Sequence, residues 1–340
     1  MKNPDTEIID FVNKIRNRKE TKIVIVPHVN PDGDAIGSSM ALYEFFSQTN
    51  LVNVVAPSIF PAFLEWMPDS NIVVNAKADS VKAKQIISDA DLIIIADHNA
   101  ANRSGDLEKI IAESSATKLM IDHHPEPSYP VHNQISCIKV SSTAELVYNF
   151  ISEIDSKSIN IRIASAIYVG IMTDTGNFMH NVHPDTFKIV SELISVGIDK
   201  DNIYNQVFNT NSIDRMHLLG FALSERMEVL ADLNTVIIAL SKDDLTRFNY
   251  KVGDTEGFVN IPLSIQNVNS SILVMDKEGE VKISFRSKGN ISINKIAKEH
   301  FNGGGHKNAA GGSGKELNFT ETLDKLKRVL VENKSILLEK

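Results

Sequence analysis

A chain of 340 residues is longer than one hydrophobic core ordinarily supports, so two domains are expected. Its 42% hydrophobic and 23% charged residues give the balance of a soluble globular protein, and no apolar run approaches the ~20 residues that cross a bilayer. The single Cys137 excludes an internal disulfide framework and a cysteine-rich zinc site, and a net charge of −8 argues against a grip on long duplex nucleic acid. Small or short phosphorylated substrates suit that charge better. Met1–Asp10 carries acids and lacks a basic-then-apolar secretory pattern, so a cytoplasmic protein is the default expectation.

The first half alternates strand-like and helix-like segments. Thr21–Val26 is an apolar, β-branched run, and Ala35–Phe46 spaces Ile36, Met40, Leu42, Tyr43 and Phe46 as a helix does. Leu51–Val55 predicts a strand, Val81–Ile87 a helix, and Asp91–Ala96 a strand buried on both faces. Asp106–Glu113 reads as helix, with strands at Lys118–Ile121 and Ile135–Val140. This rhythm predicts an α/β fold whose N-terminal domain is a doubly wound parallel sheet. Ser142 and Glu145 form a capping-box pattern for a helix to about Glu153, and Asn160–Met172 is a longer apolar helix. From His183 to Val229 the pattern is helical, with Pro184 suited to a first turn. Strand character returns at Asn234–Leu240, a hairpin is expected from Ser271–Met275 and Val281–Arg286 around Lys277-Glu278-Gly279, and Ile293–His300 is helical. The expected layout is therefore residues 1–182, a helical linker at 183–230, and a smaller C-terminal α+β domain at 231–340.

Chemistry concentrates at the strand ends. His28, Asp32 and Asp34 share a turn with Pro31 and Gly33, and the helix that follows directs its free N–H groups at any bound phosphate. Asp34 is also expected to cap that helix; a plain capped turn with a surface histidine is the alternative. Asp97 ends the buried strand, where it marks either a site or another cap. Asp122-His123-His124 ends the next strand and is otherwise a solvated turn. Asp174 lies in Thr173-Asp174-Thr175-Gly176, which taken alone reads as helix capping. Carboxylates mixed with imidazoles suit a hard divalent ion such as manganese.

In combination these phrases resemble the DHH phosphoesterase superfamily, which takes its name from the triplet at Asp122-His123-His124. The likeness extends over residues 30–38 (NPDGDAIGS), residues 141–146 (SSTAEL) and Thr173-Asp174-Thr175-Gly176. In the C-terminal half, Arg286-Ser287-Lys288 and residues 303–311 (GGGHKNAAG) look like the associated DHHA1 domain. The resemblance covers nearly the whole chain and is to the oligoribonuclease (nanoRNase)/pAp phosphatase subgroup. It implies a DHH catalytic domain at 1–182 and a DHHA1 substrate-binding domain at 231–340. It also implies two Mn²⁺ ions, one held by His28 and Asp32, the other by Asp34, His123 and Asp174, with Asp97 bridging them. Two-metal attack of a bridging hydroxide on phosphorus is the implied reaction. His124 would contact the scissile phosphate and help protonate the leaving oxygen, with Asp122 orienting these groups. Arg103, six residues after Asp97, would pair with a substrate phosphate. The intervening His98-Asn99-Ala100-Ala101-Asn102 departs from the small hydroxyl residue often found there, which bears on substrate specificity.

Gly303, Gly304 and Gly305 would let backbone N–H groups approach a ligand, with His306, Arg286 and Lys288 adding charge; a flexible hairpin is the alternative for the glycines alone. The resemblance makes this a clamp for the terminal nucleotide or phosphate. The implied substrates are short single-stranded RNA, linear dinucleotides such as pApA, and 3′-phosphoadenosine 5′-phosphate, with no membrane partner and a homodimer allowed. Inorganic pyrophosphatase or exopolyphosphatase is the competing enzyme reading, though the glycine-rich phrase argues against the pyrophosphatase type. A catalytically silent nucleotide sensor would need a missing ligand, and none is missing.

Overall fold

A computed structural model describes residues 6–18, 20–131, 133–277 and 280–339. The chain divides into two compact units, Met1–Thr210 and Asn211–Lys340. Among the described residues, no helix is long and apolar enough to cross a membrane.

The first unit opens with α1 (Thr6–Arg16), β1 (Lys22–Val26), α2 (Gly33–Ser47), β2 (Leu51–Ala56) and the short β3 (Val74–Asn75). It continues through α3 (Ser80–Ser88), β4 (Leu92–Ala96), a 3₁₀ turn at Ala101–Leu107, α4 (Glu108–Glu113), β5 (Thr117–Asp122) and β6 (Asn133–Ser136). Four helices complete it: α5 (Thr143–Asp155), α6 (Ile161–Asp174), α7 (Pro184–Ser195) and α8 (Lys200–Phe208). All six strands are parallel, in the order β3-β2-β1-β4-β5-β6. Alternate strand residues serve opposite faces. Ile23, Ile25, Leu92 and Ile94 join the core under α2, α5 and α6, while Val24, Val26, Ile93 and Ile95 pack on the opposite side with Ala83, Ile87 and Ile111. The doubly wound parallel sheet is as expected. Its order reverses between β1 and β4, and ligands of such sheets bind outside the carboxyl ends of the strands at that reversal.

The crossing of α2 and α6 depends on small residues. A Cβ on Gly33 would lie 2.3 Å from Thr173 Oγ1, and one on Gly37 would lie 2.5 Å from the Ala166 carbonyl. Without those side chains the first turn of α2, with Asp34, sits beside the last turn of α6, with Asp174.

The second unit holds α9 (Ile213–Glu225), β7 (Met227–Leu230), β8 (Thr235–Leu240), α10 (Lys242–Arg247), β9 (Ser270–Lys277) and β10 (Glu280–Ser287). After these come α11 (Ile293–His300), β11 (Gly304–His306), β12 (Ala309–Ser313), α12 (Phe319–Glu332) and α13 (Lys334–Leu337). Its sheet runs β11-β12-β10-β9-β8-β7 and is mixed, with β8 and β9 parallel and the other pairs antiparallel. One face packs on α11 and α12; the other is covered over β8 and β9 by α9 and the segment Phe258–Ser264.

Several local expectations shift. The strand expected at Ile135–Val140 is β6, Asn133–Ser136, because its position follows from pairing Leu119 with Asn133 and Asp122 with Ser136. Val229, expected in a helix, belongs to β7, which pairs antiparallel with the next strand β8 through the short turn that follows Leu230. Residues 183–230 are shared between the units. Ile189, Leu193 and Ile203 enter the first core, Leu218 and Ala222 a core of the second. The hairpin β9–β10 forms, pairing Ser271 with Arg286; the expected turn residues Glu278 and Gly279 lie outside the described residues.

Candidate metal centre and the open face of the second sheet

His28 follows β1 and Asp97 follows β4, the two strands that flank the reversal. The Nδ1–H of His28 donates to its neighbour Val29's carbonyl (2.8 Å), which leaves Nε2 as the nitrogen that takes either a proton or a metal. That nitrogen lies 3.8 Å from Asp32 Oδ2 and 3.6 Å from Asp97 Oδ2. Asp97 adopts φ +62°, a left-handed conformation that aspartate tolerates better than most residues, while its N–H still donates to the Ile121 carbonyl. The carboxylate is thereby turned inward at the strand end, and the residue is 2% exposed.

A second cluster faces the other oxygen. His123 Nε2 lies 3.8 Å from Asp97 Oδ1, 3.8 Å from Asp34 Oδ2 and 3.5 Å from Asp174 Oδ2. These separations exceed hydrogen-bond lengths. They suit donors arranged about a shared cation at ~2.0–2.2 Å from each. His28, Asp32 and Asp97 form one potential ligand set, and Asp34, His123 and Asp174 form another. The donor chemistry therefore fits two hard divalent ions on either side of Asp97. Access lies on the side of Asp32 and Asp174, whose side chains are 46% and 27% exposed against 1% for Asp34.

Asp34 does not cap α2. Asp32 does, its Oδ1 accepting the N–H groups of Asp34 and Ala35 (3.1 Å each). Asp34 sits inside the first turn and points across to α5, taking the N–H of Thr143 on Oδ2 (2.7 Å) and of Ala144 on Oδ1 (2.8 Å). Ser142 caps α5 as expected, accepting from the Glu145 N–H. The Glu145 carboxylate, however, takes the Ser141 N–H and hydroxyl and the Thr186 hydroxyl instead of reaching back to Ser142.

Asp122 is fully buried and engaged by its neighbour. Its Oδ1 accepts from Nδ1 of His124 (2.7 Å) and its Oδ2 from the His124 N–H (2.9 Å). That fixes the imidazole plane and the Nδ1–H tautomer. Arg103 lies on the 3₁₀ turn, where its carbonyl accepts the Val29 N–H (2.7 Å) and ties that turn to the His28 loop. Among the described residues its guanidinium has no hydrogen-bond or ion-pair partner. The turn is braced from beneath: His98 Nδ1–H donates to the Ala96 carbonyl, and its Nε2 bonds Ser104 Oγ (2.9 Å), which in turn meets the Tyr129 hydroxyl (2.9 Å). His98 is thus a packing device beneath the turn. Nothing in its local sequence signalled the Ser104–Tyr129 chain.

Electrostatics favour an incoming cation. Burial, then the neighbouring carboxylates Asp97, Asp174 and Asp32, raise the Asp34 carboxyl well above its ordinary range. Burial disfavours the His28 cation, but Asp32 and Asp97 outweigh it and lift the imidazole to about 9. Burial would raise Asp97 as well; His28, His124 and His123 hold it well below the usual carboxylate range. Burial lowers His123, and pushes His98 down to about 3, so both rings favour the neutral form. A divalent ion would relieve the carboxylate crowding and replace the proton on His28.

In the second unit the strand register defines an open face. His306 pairs with Ala309, Ala309 with Arg286, and Arg286 with Ser271, so these side chains share one face. The next row of that face is Gly304, Gly311, Ser284 and Leu273, and the one beyond it contains Lys282 and Ser313. Exposed Lys282 is a cation on this face that sequence reading missed; the alternation along β10 could have signalled it. Two expectations change in kind. A Cβ on Gly303 would lie 2.0 Å from the Gly311 carbonyl and one on Gly305 2.5 Å from the Ala309 carbonyl, so both glycines are required by β12. Of these three glycines, Gly304 is the one at which a Cβ would meet nothing within 4 Å among the described residues. Lys288 Nζ donates to the Val268 carbonyl (2.8 Å), a tie within the unit that any substrate contact would have to share.

Comparison with known proteins matches two family domains along the chain. Residues 22–171 match the DHH family, N-terminal domain, and residues 233–332 match the DHHA1 domain. The crystal structure of an exopolyphosphatase-related protein from Bacteroides fragilis is similar over 100% of both chains, at 43% identity and a TM-score of 0.93. The bifunctional oligoribonuclease and PAP phosphatase NrnA of Bacillus subtilis is 28% identical over 299 residues, 86% of this chain and 88% of that protein. Its namesake from Thermus thermophilus is 27% identical over 335 residues, 94% of this chain and 92% of the other. The chain belongs to the DHH family and carries a DHHA1 domain in its second half.

Proposed function

We propose that this chain is a manganese-dependent phosphoesterase. Its substrates are short oligoribonucleotides (nanoRNA), linear dinucleotides such as pApA, and 3′-phosphoadenosine 5′-phosphate. The observation that carries the reading is Asp97, whose two oxygens face two different imidazoles, His28 and His123, each within its own acid cluster. His28 and Asp32 would hold one ion, Asp34, His123 and Asp174 the other, and Asp97 both. When bound, a metal pair supplies an acidified water and neutralises the non-bridging phosphoryl oxygens.

The remaining work falls to the protein's own groups. His124, held at Nδ1 by Asp122, presents Nε2 as the atom that carries a proton to the leaving oxygen. The unengaged Arg103 guanidinium is suited to a bidentate grip on a substrate phosphate. Arg286, His306 and the open Gly304 offer a cationic, side-chain-poor face for a nucleotide, and Lys282 extends that charge along β10. In this reading the DHH half performs catalysis and the DHHA1 half binds substrate. The short nucleotide substrates are supported by the names of the relatives that match most of the chain. The same reading carries a cytoplasmic location and a homodimer, to be checked by fractionation and light scattering.

The test offers purified protein with Mn²⁺ a panel of pAp, pApA, RNA of two to five nucleotides, pyrophosphate and long polyphosphate. Turnover of the nucleotides is expected. Exclusive turnover of pyrophosphate or polyphosphate would refute the substrate class, the second outcome being the one suggested by the name of the Bacteroides relative. Binding without turnover of any compound would identify a sensor.

A further inference from the structure

The start of α5 touches both halves of the candidate metal centre through one residue, Thr143. Its backbone N–H donates to Asp34 Oδ2 (2.7 Å) and its hydroxyl donates to Asp97 Oδ1 (2.7 Å). The next N–H, of Ala144, takes the other Asp34 oxygen at 2.8 Å. Thr143 is fully buried. These are two of the N–H donors that an α-helix leaves without an internal partner, so Asp34 completes the helix while the helix fixes Asp34.

The hydroxyl contact is the more specific of the two. Asp97 Oδ2 lies 3.6 Å from His28 Nε2, and Oδ1 lies 3.8 Å from His123 Nε2. A carboxylate divided in this way is useful only at one rotation about its Cβ–Cγ bond. Such terminal torsions are broad and weakly held by themselves. A hydrogen bond to Oδ1 selects the rotation that gives each imidazole its own oxygen. The surroundings leave Thr143 little freedom to drift. Gly170 lies against Ala144, and Glu145, in the same first turn, is anchored to Ser141 and to Thr186 of α7.

We infer that Thr143 is a positioning residue for the metal pair, its hydroxyl setting the roll of Asp97 and its N–H the seat of Asp34. This rests on the metal-centre reading above and goes beyond it by naming the group that makes one carboxylate serve two ions. Groups that hold metal ligands in this manner typically change affinity by about 10–100-fold when removed.

The experiment compares Thr143→Val, which keeps the shape and loses the hydroxyl, with Thr143→Ser, which keeps the hydroxyl. Mn²⁺ binding is followed by competition with a chelating indicator, and electron paramagnetic resonance reports whether two bound Mn²⁺ are exchange-coupled. Melting of the metal-free proteins is measured alongside. The valine variant is expected to bind the second Mn²⁺ about 10–100-fold more weakly and to lose the coupled signal. The serine variant is expected to recover both. A valine variant with parental affinity and coupling would overturn the inference, as would a serine variant as defective as valine. If the valine variant loses metal binding only in proportion to a loss of fold, seen in melting, a purely structural role replaces the positioning one. Failure of the parent protein to bind Mn²⁺ would instead remove the metal-centre reading, and this inference with it.

Discussion

Gly170→Ala is a sharp test of whether the close helix crossing shapes the site. Two effects of opposite sign compete. In a helix interior alanine is favoured over glycine by about 0.8–1 kcal/mol. Yet a Cβ at position 170 would lie 2.5 Å from Ala144 Cβ and 2.9 Å from Asp34 Oδ1. Carbon atoms prefer about 3.5–4.0 Å, so the overlap is on the order of 1 Å against an atom fixed to a helix backbone. Overpacking of this kind costs about 1–3 kcal/mol, and disturbing the charged hydrogen bond between Ala144 and Asp34 adds about 1.5–3 kcal/mol. Steric cost wins, leaving a net destabilisation of about 2–5 kcal/mol. At about 2–4 °C per kcal/mol for a unit of this size, melting should fall by at least about 4 °C. Mn²⁺ affinity should fall with it, because Asp34 is displaced. Gly220→Ala in α9 is the internal control. A Cβ there meets nothing within 4 Å, so the propensity term stands alone and the change should stabilise by about 0.5–1 kcal/mol. Circular dichroism melts of both variants, with and without Mn²⁺, decide the matter. The reasoning is falsified if Gly170→Ala proves as stable as the parent or follows Gly220→Ala upward.

Asp174→Ala should lower turnover by about 100-fold or more while melting of the metal-free protein changes little, since the side chain is partly exposed; near-parental rates would refute its ligand role. Arg286→Ala should raise KM for dinucleotides by about tenfold with Mn²⁺ content unchanged, and loss of metal would contradict its placement on a substrate-binding face. For pH, His28 in the metal-free fold is raised to about 9 against 6.5 unfolded. Its contribution is complete below pH 6.5 and is lost as pH climbs through 9, and the raised Asp34 acts in the same direction at lower pH. Melting of the metal-free protein should therefore decline from pH 6.5 to 9, and Mn²⁺ binding should release protons over that window. A metal-free melting profile flat across that window, or calorimetry showing no proton release, would contradict the assignment.

The strand ends and their chemistry were legible because the signals are local. Short apolar runs marked β1, β4 and β5, and the residues that follow them, His28, Asp97 and His123, meet at the sheet reversal. Helix capping was legible in part. Ser142 caps α5 as its sequence suggests, but Asp32 rather than Asp34 caps α2, since two acids on one turn compete and only the fold shows that α5 needs the second. The strands β7, β11 and β12 were not legible. They are short and rich in glycine or exposed residues, so they carry little apolar alternation of their own. They exist through pairing with a neighbouring strand, β7 on β8 and β11 on β12, with β12 in turn on β10.

By itself the sequence determined the metal-suited residue types, their order along the chain and the alternation that builds a parallel sheet. Those properties are set within a few residues by burial, turn chemistry and helix ends. Only the tertiary structure decided that Asp97 divides its oxygens between two imidazoles, that Thr143 holds it there across 46 positions, and that Lys288 is tied to a carbonyl while Lys282 is exposed. The physical reason is the range of the contacts. A cap or an apolar period acts over about one helical turn, whereas Thr143 reaches Asp34 across 109 residues, a proximity created by packing α2, α5 and α6 against one face of the sheet.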